Sequence, residues 1–272
     1  MTEEEIIKRT GQYPVTIRSL IADLQALGLR PGSTVIVHSS LSALGWVSGG
    51  PVAVVLALEQ VLTPTGTLVM PTHTGDLSDP AQWQHPPVPA TWWPVIRDSM
   101  PAFDPSMTPS RGMGAIPECF RTRAETQRSR HPQYSFAAWG KHATTIVENH
   151  ALEFGLGEKS PLARIYELEG WVLLLGVGHD SNTSLHLAEY RADYSSKKLV
   201  SCGTSIQENN GRQWVTFQDI ELNSDDFFQI GADFEKISNK VITGQVGLAS
   251  VRLMPQRDLV DFGVMWLEQN RR

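Results

Sequence analysis

The order of apolar patterns in the first seventy residues constrains the fold more than any other feature of the sequence. Apolar residues recur at helical spacing over residues 17–27, behind Thr16 as an N-cap. A β-branched run predicts a strand over 34–38, a starting proline predicts a helix over 51–62, and a second strand follows over 67–70. A strand, a helix and a strand in this order predict two neighbouring parallel strands in an α/β sheet.

The rest of the chain adds strands and helices in a less regular order. The expected elements are a helix over 141–150, a strand over 171–176, a helix over 183–193, strands over 199–206 and 213–220 about a hairpin turn at Asn209-Asn210-Gly211, a helix starting near Asp225 or Asp226, a strand over 248–253 and a helix after Pro255. Hairpins beside parallel units predict a mixed sheet. Residues 71–117 show little periodicity and predict an irregular loop region that lines a site. Because no linker-like segment is visible, we expect residues 1–272 to form a single domain.

Charge and composition argue against several classes of protein. Lys and Arg number 23 against 29 Asp and Glu, which gives a net charge of -6. This balance disfavours nucleic acid as a partner and mildly favours a cation. No apolar run is long enough to span a membrane, and residues 1–9 lack the apolar core of an export signal. Cys119 and Cys202 are expected to be free thiols, which favours a cytoplasmic protein. From the charge and the lack of a long apolar run, we expect neither nucleic-acid nor membrane partners.

Several common catalytic motifs are missing from the sequence. Neither His-Glu-x-x-His nor Cys-x-x-Cys occurs, so no metal is expected. The segment 157–160 (Gly-Glu-Lys-Ser) lacks the first glycine of a phosphate-binding P-loop. Ser48 has the wrong spacing of flanking glycines for the nucleophile elbow of a serine hydrolase.

Two polar segments follow the first two strands. Residues 38–50 offer Ser39, Ser40 and backbone N–H groups at the carboxyl end of the first strand, where α/β sheets bind ligands. Their alternative role is to cap the following helix. Residues 70–76 offer His73 and Asp76 for substrate contact, although an aspartate after glycine is as common in a plain turn.

A third segment, residues 108–114, combines an arginine with two glycines. Arg111 can grip a phosphate or a carboxylate, and Gly112 and Gly114 allow close approach to the backbone. A tight structural turn with a surface arginine is the alternative.

A fourth segment provides the strongest catalytic candidate. Thr183, His186 and Glu189 recur at i, i+3 on the helix that follows the strand at 171–176. A histidine held by a carboxylate suits general-base catalysis, because the acid fixes the tautomer and stabilises the imidazolium. A structural hydrogen-bond network is the alternative, and His179 competes for the same role from the preceding loop.

An acidic stretch, residues 218–235, contains no basic residue. It either lines a pocket for a polycation, with Asp225 as a candidate, or forms a solvated loop and the acidic first turn of a helix.

Together these segments resemble the aminoglycoside 3-N-acetyltransferase family. The blocks that match are residues 38–45, 70–76, 108–114, 128–132, 135–138 and 184–189. The resemblance implies a three-layer α/β/α fold with a central mixed sheet, distinct from the common GNAT acetyltransferase fold. It also implies transfer of acetyl from acetyl-coenzyme A to the 3-amino group of an aminoglycoside, a cationic small molecule.

The resemblance further implies roles for individual residues. His186 would be the base, Glu189 would orient it or contact the amine, and Asp76 would be a substrate-side acid. Coenzyme contacts would come from Ser39, Ser40, Leu41, Thr72, Arg111, Gly112, Met113, Gly114, Ser135 and Phe136. Acceptor contacts would come from Asp76, Glu189, His73 and Asp225. Ser110 stands where the family often has threonine, which keeps the hydroxyl.

Three other functions stay open at this stage. The chain could acylate another small amine metabolite or use a bulkier acyl donor. It could instead be a hydrolase in which Ser40 is the nucleophile and His186 its base. It could also bind the coenzyme without catalysis. For direct transfer, we expect oxyanion donors among the backbone N–H groups near residues 39–41.

Overall fold

The computed structural model describes residues 2–208 and 211–272. The helices are α1 (Glu3–Thr10), α2 (Ile17–Leu27), α3 (Gly50–Leu62), α4 (Trp93–Ser99), α5 (Ala115–Arg121), α6 (Ala143–Val147), α7 (Pro161–Glu167), α8 (Ser184–Arg191), α9 (Phe227–Ile237) and α10 (Gln256–Asn270). The strands are β1 (Thr34–Ser39), β2 (Thr67–Pro71), β3 (Gln127–Arg128), β4 (Phe136–Gly140), β5 (Trp171–Leu175), β6 (Leu199–Glu208), β7 (Gly211–Ile220), β8 (Ile242–Val246) and β9 (Ala249–Pro255).

A central sheet of seven strands has the order β3-β4-β2-β1-β5-β9-β8. Strand β1 is parallel to both β2 and β5, whereas β4, β9 and their outer neighbours pair antiparallel. The predicted mixed sheet, with parallel β1 and β2 side by side, is therefore confirmed. The hairpin β6–β7 does not supply the antiparallel strands, because it forms a separate two-stranded sheet. The predicted turn at Asn209-Asn210 lies outside the described residues.

Helices cover both faces of the central sheet. Alternate residues of β1 point to opposite faces, so Val35 and Val37 join one apolar core and Ile36 joins the other. Helices α2, α3 and α5 contribute to the first core, and α7, α8, α9 and α10 contribute to the second. Burial on both faces explains why β1 is a continuous apolar run rather than an alternating one.

Local signals at the ends of α2 and α3 act as the sequence predicts. Thr16 and Ser19 form a capping box at the start of α2, and Gly28 ends it in the left-handed conformation at φ 107°. Pro51 lies in the first turn of α3, where its missing N–H costs no hydrogen bond.

The prediction of an irregular loop over residues 71–117 is wrong in part. Helix α4 and the start of α5 lie within that segment. Both are seven residues long, which is too short to show a helical period against the surrounding prolines and tryptophans. The helix expected over 141–150 is also shorter, at Ala143–Val147.

Cys119 and Cys202 are both free thiols. Within residues 2–208 and 211–272, none of the helices combines the length and the apolar character that crossing a bilayer requires.

Two histidines, the buried His131 and the half-buried His150, hold the segment that leads into β4. Nδ1 of His131 accepts the backbone N–H groups of Gln133 at 3.1 Å and Tyr134 at 3.0 Å, and its Nε2 lies 3.1 Å from the Leu152 carbonyl oxygen. The ring centroids of His131 and His150 lie 4.8 Å apart, with the ring planes tilted by 38°. Burial lowers the pKa of His131 to about 4 and holds the pKa of His150 well below its usual range. A proton on Nδ1 of His131 would break both of its backbone hydrogen bonds.

Mild acid is therefore expected to destabilise the protein. Below about pH 6.5 these histidines bind protons in the unfolded chain but stay neutral in the folded one. The free energy of unfolding therefore falls as pH drops toward about 4. Each histidine contributes a slope of about 1.4 kcal/mol per pH unit. Urea unfolding at several pH values measures this slope, and His131→Gln should reduce it.

One buried carboxyl acts in the opposite direction. Burial raises the pKa of Glu59 to about 7, so this carboxyl binds its proton at a higher pH in the folded state than in the unfolded state. The folded state therefore gains stability as pH falls below that value. A Glu59→Gln variant removes this contribution and should steepen the histidine slope. Stability that is flat or rising from neutral to mildly acidic pH in Glu59→Gln would contradict the buried neutral histidines.

Candidate active site

A cavity of 580 Å³ lies at the carboxyl ends of β1, β2 and β5. Three of the polar segments singled out in the sequence line it together with the start of α8. The lining includes His38, Ser39, Ser40, Leu41, Ser42, His73, Gly112, Met113, Gly114, Asn182, Thr183, His186, Ser224 and Phe227. The topology thus brings segments that are distant in sequence to one edge of the sheet, as expected for an open α/β sheet.

His186 and Glu189 form a hydrogen-bonded pair one turn apart on α8. Nδ1 of His186 lies 2.5 Å from Oε2 of Glu189. The His186 side chain lines the cavity, and its ring meets the ring of Phe227 edge to face at 4.8 Å. Glu189 has no exposed surface, so its carboxylate lies behind the histidine rather than in the cavity.

The second oxygen of Glu189 is held from two other segments. Oε1 accepts the backbone N–H of Asn223 at 3.0 Å and Nη1 of Arg271 at 2.5 Å. Arg271 also contacts Asp226 through Nη2 at 2.6 Å. The buried carboxylate is therefore paired on both oxygens, which removes the cost of burying a lone charge.

His38 and His73 place two more imidazole rings at the cavity. Burial, with the nearby His186 ring adding to it, lowers the pKa of each to about 3, so both rings are neutral near pH 7. Nε2 of both rings and Oγ of Ser39 are buried atoms for which the described residues supply no hydrogen-bond partner. Orphaned buried polar atoms at a cavity mark positions where a ligand can complete the hydrogen bonding.

The loop over residues 108–114 folds against the end of β2. Gly112 and Gly114 have φ of 73° and 89°, in the left-handed region that favours glycine. The backbone N–H of Arg111 donates to the His73 carbonyl at 2.8 Å, which ties the second and third polar segments together. Ser110 donates through Oγ to Glu118 at 2.6 Å, so the hydroxyl at this position anchors the loop to α5.

Asp76 and the side chain of Arg111 lie outside the cavity lining. They form an ion pair with each other, and more than half of each side chain is exposed. Exposed pairs of this kind contribute little to stability. Nothing in the described contacts joins Asp76 to the His186–Glu189 pair.

Thr72, Ser135 and Phe136 are fully buried and do not line the cavity. Phe136 packs against the His73 ring at 5.2 Å. Thr72 and Ser135 surround the buried guanidinium of Arg128, whose Nε donates to each hydroxyl at 3.1 Å. In this structure, these three residues, predicted to bind the coenzyme, therefore contact other buried protein groups and not the cavity.

Arg128 joins β2 to the loop that forms one wall of the cavity. Its Nη2 donates to the Thr72 carbonyl at 2.8 Å and its Nη1 donates to the Thr108 carbonyl at 2.5 Å. Burial lowers the pKa of Arg128 to about 10, so it stays charged at neutral pH.

Asp225 and His179 lie at other sites. Asp225 is exposed and lines a separate cavity of 460 Å³, which shares only Ser224 with the first. His179 is buried behind the 182–183 turn, where its Nε2 lies 2.9 Å from Glu235, and burial lowers its pKa. The competing candidate thus has a carboxylate partner but no place in the cavity lining.

Among the described residues, no three His, Cys, Asp or Glu side chains come close enough to hold a metal ion.

The sequence model of the aminoglycoside 3-N-acetyltransferase family matches residues 36–268. The chain belongs to this family. It is therefore an N-acetyltransferase-family enzyme, and the predicted family is confirmed. A relative from Bacillus subtilis (strain 168), the SPbeta prophage-derived aminoglycoside N(3')-acetyltransferase-like protein YokD, is 48% identical over 98% of this chain and 97% of its own length.

Further relatives give the same family. Aminoglycoside N(3)-acetyltransferase VII of Streptomyces paromomycinus is 38% identical, covering 99% of this chain and 96% of the relative. The crystal structure of YokD superposes with a TM-score of 0.95, at 47% identity over 98% of both chains. AAC-IIIb solved in a binary complex with CoASH gives a TM-score of 0.85, at 33% identity over 95% of this chain and 98% of that one. These structures confirm the α/β class predicted in place of the common GNAT acetyltransferase fold.

Sequence reasoning assigned no role to Arg128, Phe227, Asn223 and Arg271, although all four touch or support the site. Arg128 lies in one of the blocks that resemble the family, but the sequence does not predict which groups its side chain contacts. Asn223 and Phe227 lie in the acidic stretch 218–235, whose charge pattern does not predict these contacts, and Arg271 follows the last helix without a motif. Only the folded chain brings the three residues to the His186–Glu189 pair.

Proposed function

We propose that this enzyme transfers the acetyl group of acetyl-coenzyme A directly to the 3-amino group of an aminoglycoside, with His186 as general base. The observation that carries the proposal is the 2.5 Å contact of His186 Nδ1 with a fully buried Glu189 carboxylate at the edge of the 580 Å³ cavity. Family membership and the names of the relatives support the donor and the acceptor.

The carboxylate sets the tautomer of the base. Glu189 is an acceptor, so it favours the proton on Nδ1 of His186 and leaves the Nε2 lone pair available. Of the two roles open to Glu189, orientation of the histidine fits its burial, because a side chain without exposed surface does not reach an acceptor amine. The negative charge also stabilises the imidazolium once the histidine holds a second proton.

The transfer step balances without a covalent enzyme intermediate. The lone pair of the free amine attacks the thioester carbonyl carbon, and the new C–N bond forms as Nε2 of His186 takes the amine proton. The tetrahedral intermediate then expels the coenzyme thiolate as the C–S bond breaks, and the thiolate takes up that proton. Binding both substrates together supplies much of the rate through positioning.

The oxyanion needs donors that are not already used. The N–H of Ser40 donates to the Leu175 carbonyl at 3.0 Å, so it is committed to the sheet. The N–H of Leu41 opens a 3₁₀ turn over Leu41–Leu44, and the first donors of a helix have no partner within it. We assign the Leu41 N–H as a donor to the thioester oxygen.

The hydrolase alternative lacks its first requirement. A serine hydrolase needs its nucleophile hydrogen-bonded to the base. The Oγ of Ser40 instead lies 3.3 Å from the Oγ of Ser42. A transferase that consumes acetyl-coenzyme A also fits the cytoplasmic location expected from the sequence.

A thiol-release assay with acetyl-coenzyme A tests the proposal. Aminoglycosides with a free 3-amino group should release thiol in proportion to a mono-acetylated product, and NMR of that product should place the acetyl group on the 3-nitrogen. A matched aminoglycoside already acetylated at that nitrogen is the control and should give no release. Turnover only with simple amines would favour the other small-amine function, and thiol release without any acceptor would favour a hydrolase.

A further inference from the structure

The guanidinium of Arg271 closes the far side of the Glu189 carboxylate. This residue directly follows α10, and its side chain is only 10% exposed. Its Nη1 lies 2.5 Å from Glu189 Oε1, and its Nε and Nη2 lie 2.7 Å and 2.6 Å from the two oxygens of Asp226. Nη2 also donates to the Asn223 carbonyl at 2.5 Å. The fork is thus fixed between α8, the segment before α9 and the chain after α10.

This arrangement divides the two oxygens of Glu189. Oε2 receives Nδ1–H of His186, and Oε1 receives the Arg271 cation and the Asn223 N–H. A fully buried carboxylate whose second oxygen had no donor would be free to turn toward other donors, because a buried charge without partners is costly. Arg271 places a cation on the oxygen that His186 does not use, and its bidentate contact with Asp226 keeps the guanidinium in place.

We propose that Arg271 is a positioning residue of the His186–Glu189 pair, acting through Glu189 and not by touching substrate. The inference rests on the proposed role of His186 as the base. Arg271 lies beyond residue 268, where the match to the family ends, so the family pattern does not identify it. The three-dimensional contacts alone connect it to the site.

A pH profile reports on the His186–Glu189 pair only if the other titratable and charged groups around it stay the same in every variant. His38 and His73 face His186 and are neutral near pH 7, since their pKa is about 3. Asp219 faces the pair from β7, where burial raises its pKa and the Tyr190 hydroxyl donates to it. Among the described residues, further neighbours that act on Glu189 or Arg271 are Asp226, Tyr134, Tyr194 and Lys197. None of them changes in the variants below.

The test compares Arg271→Gln, Arg271→Lys and a matched control, Arg272→Gln, at the exposed neighbouring position. Arg271→Gln should lower kcat by about 10- to 100-fold with a smaller change in KM for acetyl-coenzyme A, on the scale known for outer partners of functional side chains. The pH–kcat profile falls on its acid side where the base becomes protonated. In Arg271→Gln this acid limb should move to higher pH, because the Glu189 carboxylate beside the base has lost its cation. Arg271→Lys keeps a charge and should recover most of kcat and the position of the limb, while Arg272→Gln should match the parent enzyme.

A measurement without turnover separates this inference from the proposed function. In the free enzyme, the NMR signal of the His186 Nδ1 proton should broaden or move upfield in Arg271→Gln and return in Arg271→Lys. An unchanged signal together with an unchanged acid limb in folded Arg271→Gln would overturn the positioning role, whatever its kcat. Equal loss of kcat in Arg271→Gln and Arg271→Lys with the limb in place would overturn it too. If the His186 signal responds as expected but the enzyme acetylates no amine, the failure belongs to the proposed function.

Discussion

Replacing His186 by alanine is expected to lower kcat by about 10²- to 10⁴-fold, the usual contribution of a positioned general base. The attacking amine then has no group at hand to take its proton, and Glu189 is fully buried and does not replace the imidazole. The dissociation constant for acetyl-coenzyme A should change far less, because the rest of the cavity lining is untouched. Steady-state kinetics and calorimetric titration with the coenzyme measure the two effects.

The molecule offers a matched control for this loss. His179 is also paired with a glutamate, with its Nε2 2.9 Å from Glu235, but it does not line the cavity. His179→Gln should keep kcat within about threefold of the parent. His186→Asn, which can still donate to Glu189 but cannot act as a base, should lose as much as His186→Ala. Full activity in His186→Ala, or a loss that appears only in His179→Gln, would contradict the assignment of the base.

Local sequence signals predict the part of the fold that positions the site. The run at 34–38, the capping box at Thr16 and the proline at the start of α3 each act within a few residues, so they are readable one segment at a time. Because parallel neighbours end at one sheet edge, the polar segments after β1 and β2 also had to meet.

Contacts between distant segments are what the sequence leaves unspecified. Asp76 and Asp225 have the right chemistry for a cationic substrate, but one pairs with Arg111 and the other lines a different cavity. Arg271 shows the converse, since an arginine after the last helix has no local mark of its contact with Glu189. Residue type is visible in a sequence, whereas the direction of a side chain depends on packing that only the folded chain defines.

Substitution of Gly231 by alanine is expected to destabilise the protein, although alanine is the better helix former. Gly231 lies inside α9, where alanine would gain about 1 kcal/mol from propensity alone. A Cβ at this position would overlap the His179 ring. That ring is only 4% exposed and is held through Nε2 by Glu235, so it has little room to move. Overpacking of this kind costs about 1 to 3 kcal/mol and should outweigh the propensity gain.

The comparison that isolates the steric cause uses two further variants. Gly75→Ala adds a methyl group where no atom lies within 4 Å, so its stability should match the parent within about 0.5 kcal/mol. In the double variant Gly231→Ala with His179→Ala, the space left by the ring accepts the methyl group. The double variant should therefore lose less stability than the sum of the two single losses. The difference should be about 1 kcal/mol or more in the free energy of unfolding measured with denaturant.

Strict additivity of the two losses would show that the ring is not the obstacle. Because α9 also carries Phe227 against the His186 ring at 4.8 Å, a shift of α9 away from His179 should disturb the catalytic histidine as well. Gly231→Ala is thus expected to lower kcat along with stability. The double variant should recover kcat and part of the stability, since relieving the overlap lets α9 return to its place.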